Sequence, residues 1–316
     1  NFIFLNSSKI FFSLFKFLNY IKKNKPDIIF STTYSVNLVC IIAKMLSNSK
    51  IFLITRESNN IFKKKIYSNF YEKFLLKFVF LYNFADLIIA PSSTIFKQLN
   101  KIISNKKKIL LIYNIIGAIN NKKIQIRNNF LINKIKKENR KIVLSIGRLE
   151  KQKNFKFLLK SFSFLKEKKI NLIIVGSGKL QNYMNSYIFQ NKLKNVHLIG
   201  EISDVNSIYK KSDLYVQCSL YEGMPNSILE ALYNKKKVLI KKYDGAFFDL
   251  KRYGIKINIS NGNEKKFSEQ IEAILKFKNN KKLFNFNRQK IILNNSISKK
   301  FYKNIFTFDY IKKFNG

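Results

Sequence analysis

The chain alternates short apolar runs with helix-length segments, and it does so twice. Strands are predicted at Asp27–Ser31, Lys50–Thr55, Asp86–Ala90 and Lys108–Tyr113. Between and around them fall helices at 8–24, 35–46 and 62–83, and one capped near Ser92 or Ser93. Asn1–Leu5 reads as a further strand. A helix between successive strands makes each connection a long crossover, so the strands pair in parallel and both sheet faces must be covered. Residues 115–140, rich in Asn and Lys and without clear periodicity, read as a connection. The alternation then restarts with strands at Lys141–Ile146, Asn171–Val175, Val196–Ile199, Asp213–Gln217, Lys237–Lys241 and Ile255–Ile259. In the first helix of this half, Phe155, Leu158, Leu159, Phe162 and Leu165 keep the spacing of a helical core face. The pattern predicts two doubly wound α/β domains, 1–120 and 141–290, with a linker at 121–140. A terminal helix at 291–316 is expected to cross back to the first domain. A length of 316 residues fits two domains.

Charge narrows the partners less than its size implies. The chain has 60 Lys+Arg against 18 Asp+Glu, a formal charge of +42. Only six of the basic residues are Arg (56, 127, 140, 148, 252 and 288), whereas nucleic-acid and phosphate recognition favours the rigid guanidinium fork. Lys rises together with Asn, Ile and Phe, as AT-rich coding would produce, so most of the charge is background. A nucleic-acid-binding protein would rest on charge alone, and no nucleic-acid partner is expected. The 46% hydrophobic content is enough for sizeable cores and argues against a disordered polybasic chain. Cys40 and Cys218 cannot build a disulfide framework, which makes a reducing compartment the default. No apolar run reaches the roughly 18 residues of a membrane span. The single histidine, His197, reads as a packed strand residue, and no metal-ligand cluster stands out.

Against this background the scarce residues are informative. In Tyr221-Glu-Gly-Met-Pro-Asn-Ser-Ile-Leu-Glu230, two glutamates stand eight positions apart around Gly223 and Pro225. Pro225 suits a first helical turn, which puts Glu222 in the preceding loop and Glu230 about a turn and a half inside. The amides around Met224–Ser227 are then helix-start donors without intrahelical acceptors, suited to an anion or a sugar oxygen. A carboxylate at 230 can accept two hydrogen bonds from a vicinal diol. Alone, the pair reads equally well as a loop Glu and a dipole-favoured Glu. A second segment, Gly147-Arg148-Leu-Glu-Lys151-Gln-Lys153, follows the first strand of the second half. Gly147 lets the chain leave the strand, and Arg148 and Lys153 can converge on a diphosphate at the strands' carboxyl ends.

Together these segments resemble the GT-B glycosyltransferases of the retaining family 4 type, whose signature is Glu-x7-Glu. The family's successive phrases stand here as Gly147–Phe155, Leu172–Gly178, Val196–Gly200, Ser212–Ser219 and Glu222–Leu232. Pro26-Asp-Ile-Ile, Arg56-Glu-Ser-Asn, Ala85-Asp-Leu-Ile-Ile-Ala-Pro-Ser and Ile112-Tyr-Asn are weaker echoes in the first half. The resemblance implies that Arg148 and Lys153 neutralise a donor diphosphate and that Glu230 holds ribose hydroxyls. Glu222 would hydrogen-bond the transferred sugar, and Gly223, Met224, Pro225, Asn226 and Ser227 would offer a turn to sugar and phosphate. Gly147 would border the phosphates, and Gly200 and Ile202 the base. Arg56, Glu57 and Ser58 would face the cleft from the first domain. No cofactor and no metal is implied, because basic side chains and helix ends take their place.

Several positions depart from the family pattern. Lys235-Lys236-Lys237 occupies the place of a Gly-x-Pro, and Ser58 that of a frequent His. The donor loop is Asp244-Gly245-Ala-Phe-Phe-Asp249, with Asp249 standing for the family's Glu. The family also opens with a strand, a Gly-rich loop and a helix that residues 1–316 do not supply, so the first domain is expected to be short at its start.

The expected architecture is α/β, GT-B, with two Rossmann-like doubly wound parallel-sheet domains facing across a cleft. The expected activity is retaining transfer of a hexose or N-acetylhexosamine from a nucleotide sugar, commonly UDP-linked. The acceptor would be a growing surface glycan or lipid-linked oligosaccharide. A catalytically silent GT-B protein that retains donor binding is the alternative. The expected location is cytoplasmic, peripheral on the inner face of a membrane. There the helices at 8–24 and 62–83, with Lys63, Lys64, Lys65, Lys73 and Lys77 among aromatics, would meet anionic lipid. Equally, those apolar faces could pack the first domain's own sheet.

Overall fold

The computed structural model describes residues 12–62, 66, 70–116, 126–167, 169–243, 249–250, 255, 257–277 and 281–305. The expected strand at Asn1–Leu5, the lysines Lys63–Lys65 and the loop Asp244–Phe248 lie outside the described residues.

The first half folds around a four-stranded parallel sheet of β1 (Ile28–Thr32), β2 (Phe52–Arg56), β3 (Leu87–Ala90) and β4 (Ile109–Leu111), in that spatial order. Alternate residues reach opposite faces, as a pleated strand requires. Leu53, Ile88 and Ala90 enter one core with helix Tyr34–Ser47, while Phe52, Ile54, Leu87 and Ile89 form a second. That second face is covered by Phe301 and Tyr302, from the far end of the chain.

The second half holds six parallel strands: β5 (Lys141–Ile146), β6 (Ile170–Val175), β7 (Val196–Leu198), β8 (Leu214–Gln217), β9 (Lys237–Lys241) and β10 (Asn258–Ser260). Their order is β10-β9-β8-β5-β6-β7. The chain therefore builds outward from β5 in one direction, then returns to β5 and builds outward in the other. This is the Rossmann order, and its reversal opens a crevice at the carboxyl ends of β5 and β8. Val143, Leu214 and Val216 point to one core, and Leu144 and Tyr215 to the other.

Three expectations need correction. Residues 126–137, read as linker, form a helix whose Ile132 and Ile135 are buried in the second domain's core. Their short apolar spacing is diluted by Asn and Lys, which hid the amphipathic stripe. The helix expected over 62–83 is helical at Phe70–Leu75 and continues as a 3₁₀ helix over Leu76–Phe84. At the change-over the Leu75 carbonyl accepts a hydrogen bond from Tyr34 Oη at 2.9 Å. The strand expected at Ile255–Ile259 lies further along, at Asn258–Ser260, with Ile255 buried in the core before it.

The terminal helix, Lys281–Ile305, spans both halves. Ile291 packs in the second domain's core, and Phe301 and Tyr302 lie on the first sheet.

Candidate functional site

The site grows from the two strands that flank the topological reversal. After β5 the chain turns through Gly147 and Arg148 into a short 3₁₀ turn at Lys151–Lys153. After β8 it runs through Ser219 to Glu222, then enters the helix Asn226–Tyr233. Pro225 caps that helix from outside with an extended backbone, one residue earlier than the first-turn position expected.

Lys153 and Glu222 meet where these segments converge. Lys153 Nζ lies 2.7 Å from Glu222 Oε1, with 16% and 8% of the two side chains exposed. Glu222 is further held by Ser219 Oγ (2.7 Å), Gln217 Nε2 (3.4 Å) and Gln152 Nε2 (3.3 Å). Such a carboxylate is costly to bury unless each oxygen is satisfied, and here both are. Gly147 lets the Lys153 stem pass close to the backbone, since a Cβ there would stand 2.8 Å from Lys153 Cε. Arg148 does not join this cluster. It is exposed and pairs with Glu150 at 3.2 Å, a geometry worth little in water. Lys153 and Arg148 thus have different carboxylate partners, Glu222 and Glu150.

Glu230 is placed a little more than one turn into its helix and is half-buried. Tyr209 Oη stands 3.2 Å from its Oε2 and 2.8 Å from the Ser227 carbonyl. Burial raises the Glu230 carboxyl above its usual 4.5, and the Tyr209 hydrogen bond partly offsets this. The Ser227 hydroxyl donates to Gln217 Oε1 at 3.0 Å, so it braces the motif from behind. The first-turn N–H groups of Asn226 and Ser227 have no intrahelical acceptor by geometry. Gly200 lies just past β7 with φ +71°, and Ile202 is half-buried against the core.

The first domain reaches the same turn. The Met224 carbonyl and Asn226 Oδ1 each accept from Asn114 Nδ2 at 2.8 Å. Asn114 Oδ1 accepts from Arg56 Nη2, and Arg56 Nη1 reaches Thr32 Oγ1 at 3.4 Å. Arg56, Thr32, Asn114, Asn226, Phe30 and Tyr302 line a cleft cavity of about 420 Å³. Ser58 packs its backbone against Gly223, whereas Glu57 turns inward and is buried. Its Oε1 accepts from the Ser58 and Asn59 amides (2.9 and 3.2 Å) and its Oε2 from Tyr82 Oη (2.7 Å). Glu57 therefore shapes the loop and does not line the cleft.

Asp249 also differs from expectation. Both its carboxylate oxygens accept from Ser93 N at 3.0 Å, at the start of helix Ser93–Asn100 in the first domain. It ties the two domains together at the place where the resemblance puts a Glu of the donor loop. His197 is a half-buried strand residue beside Asn171 Oδ1 at 3.2 Å. Gln152, Gln217, Ser219, Tyr209 and Asn114 had no role in the sequence reading. Ser219 and Asn114 fall in quoted motif segments, but their geometry depends on folded contacts.

A crevice at the reversal point, a Glu pair around a helix start and a facing first-domain wall define a two-domain fold of paired Rossmann-like sheets. The family model for glycosyl transferases group 1 matches residues 127–290, and that for glycosyltransferase family 4 matches residues 1–117. An uncharacterised glycosyltransferase of Methanocaldococcus jannaschii is 31% identical over 71% of the chain and 57% of its own length. The GalNAc-alpha-(1->4)-GalNAc-alpha-(1->3)-diNAcBac-PP-undecaprenol alpha-1,4-N-acetyl-D-galactosaminyltransferase of Campylobacter jejuni is 26% identical over 75% of the chain and 61% of its own. The chain thus spans less than two thirds of these relatives. Anabaena HepE in complex with UDP-glucose superposes with a TM-score of 0.72 at 18% identity, over 92% of this chain and 82% of that one. The chain belongs to the glycosyl transferases group 1 family, and its fold is GT-B of the family 4 type.

Proposed function

We propose that the chain transfers a hexose or N-acetylhexosamine, with retention, from a UDP-sugar to a growing surface glycan or lipid-linked oligosaccharide. The observation that supports this best is the series Lys153, Glu222, Gly223–Asn226 and Glu230, laid along the carboxyl ends of β5 and β8. Glu230 would accept the ribose diol, and Glu222 the hydroxyls of the transferred sugar. Lys153 and Arg148, with the helix-start amides, would offset the charge that develops on the diphosphate as the glycosidic bond breaks. With positive charge supplied in this way, the reading needs no metal. The acceptor hydroxyl would enter from the first-domain side, past Arg56 and Asn114, on the face the nucleotide leaves. Relatives named for a diphospho-lipid-linked substrate support the acceptor class.

A cytoplasmic position, peripheral on the membrane, belongs to the same reading. First-domain helices present Phe15 (72% exposed) and Phe70 (87% exposed), with Lys16 and Lys73 nearby in sequence. Outward aromatics with lysines suit an anionic interface. No described helix is long and apolar enough to cross a membrane.

Calorimetry with UDP, followed by sugar release or transfer from UDP-sugars, tests the proposal. Binding with turnover is expected. Binding without turnover would favour the silent alternative, and no UDP binding would overturn both. Flotation with phosphatidylglycerol vesicles, lost in Phe15→Ser/Phe70→Ser, tests the membrane face.

A further inference from the structure

A cavity of about 500 Å³ lies at the other end of the second sheet. Three helix-to-strand connections and the end of helix Glu264–Lys276 line it. Eight lysines line it, at 136, 141, 210, 211, 235, 236, 237 and 276, with one carboxylate, Asp213. Lys141 opens β5 and Gly147 follows its last residue, so the cavity stands about 20 Å from the crevice.

Part of this charge has local work. Lys136 Nζ pairs with Asp213 at 2.8 Å, and Lys141 Nζ at 3.8 Å. Lys236 Nζ donates to the carbonyls of Lys210 (2.8 Å) and Ser212 (3.0 Å), and Lys237 Nζ to that of Ile274 (2.9 Å). These ammoniums close the ends of helices Val205–Lys211 and Glu264–Lys276, where cations are favoured. Lys210, Lys235 and Lys276 add three more charges to a rim already positive. Burial lowers the basicity of Lys236 and Lys237; Lys136 and Lys141 add to this and Asp213 opposes it.

Lys235 is held at the rim by the end of a helix. Helix Asn226–Tyr233 ends in a Schellman motif, with Lys236 N bonded to Ala231 O and Lys235 N to Leu232 O, both at 2.9 Å. The motif puts Lys235 in the left-handed region, at φ +58°. Glycine is usual there, and the resemblance places a glycine at this point. Lys25 and Lys192 adopt the same conformation elsewhere, and here it fixes the backbone from which Lys235 lines the cavity.

We propose that this cavity binds a clustered-phosphate anion, either a soluble polyphosphate or the headgroup of an anionic lipid. Several ammoniums around one concavity, with one carboxylate among them, match the charge and size of such a group. The site is independent of the crevice and does not rest on the donor reading.

The test is calorimetry with inorganic tripolyphosphate at physiological salt, with and without saturating UDP. Saturable one-to-one binding, unaffected by UDP, is expected. The variant Lys210→Ala/Lys235→Gly/Lys276→Ala should weaken it about tenfold or more. Its glycine keeps the helix end intact. Lys97→Ala/Lys101→Ala/Lys107→Ala removes the same charge from exposed positions in the first domain and should leave binding unchanged. Phosphatidylglycerol vesicles form the second arm. Dependence on the cavity lysines with vesicles alone identifies a lipid headgroup, and with tripolyphosphate alone a soluble ligand. Competition by UDP, equal weakening by both triple variants, or no binding of either probe would overturn the proposal.

Discussion

Gly223 and Ser58 meet backbone to backbone across the cleft: a Cβ built on Gly223 would stand 2.2 Å from the Ser58 carbonyl oxygen. Residues 165 positions apart thus set how closely the two domains approach at the turn Gly223–Asn226. The neighbouring bridge from Asn114 to Met224 and Asn226 depends on the same approach.

Gly223→Ala should therefore hold the domains apart. The expected cost is about 1–3 kcal/mol of stability, as for overpacking elsewhere. Transfer should fall more than UDP affinity, because the donor side remains intact. Steady-state kinetics beside calorimetry would show the split, and equal losses in both would count against this role.

Removing Lys153 leaves the Glu222 carboxylate buried without its cation. Lys153→Met should destabilise the fold by about 2–3 kcal/mol, less than a wholly unpaired buried charge because Ser219, Gln217 and Gln152 remain. Urea unfolding of Lys153→Met, Glu222→Gln and the double variant should show coupling above about 1 kcal/mol. Additive losses would contradict the ion pair.

Glu230 has a raised carboxyl pKa, chiefly from burial. Folding therefore favours its protonated form, and the ionised form costs stability at pH values above the folded pKa. Glu230→Gln should raise the melting temperature at pH 7, and the gain should disappear as the pH falls below 4.5, where the native acid is protonated in both states. The same change should weaken UDP-sugar binding by about 1–3 kcal/mol at pH 7. Wild-type affinity should decline on acidification above pH 4.5, earlier than for an ordinary carboxylate. Scanning calorimetry and binding titrations across pH 4–8 check both.

Lys235→Gly should stabilise the chain by about 1 kcal/mol. A left-handed L-residue costs roughly 1–2 kcal/mol, and the extra freedom of an unfolded glycine returns part of that. Lys235→Ala keeps the strain and should give no such gain. Thermal unfolding of the two variants separates backbone strain from lost charge.

Much of this architecture was legible in the residues. Strand and helix alternation indicated two parallel-sheet domains, because only crossovers of that length join parallel strands. The Glu222–Glu230 spacing was legible too, since a proline and eight positions leave few ways to place a loop and a helix start. The helix at 126–137 was not, because Asn and Lys dilute its apolar stripe below what spacing alone reveals. The pairing of Arg148 with Glu150, and of Lys153 with Glu222, was not legible, because each depends on how the loop after β5 is folded. Asp249 was read only as standing in for the Glu of the donor loop. Its capping of Ser93 is a contact over 156 positions that no local pattern encodes.

The sequence by itself determined the fold class, the Rossmann-like halves and the place of the Glu222–Glu230 motif at a loop and helix start. These follow from periodicity, crossover length and scarce residues, all of them local properties. Only the tertiary structure decided which carboxylates are anchored and by what: Glu222 by Lys153, Ser219 and Gln217, Glu230 by Tyr209, and Glu57 turned inward to Tyr82. It also decided that Ser58 and Asn114 close on the turn at Gly223–Asn226. Burial and pairing arise from chain segments far apart in sequence, and they exist only once both domains are packed.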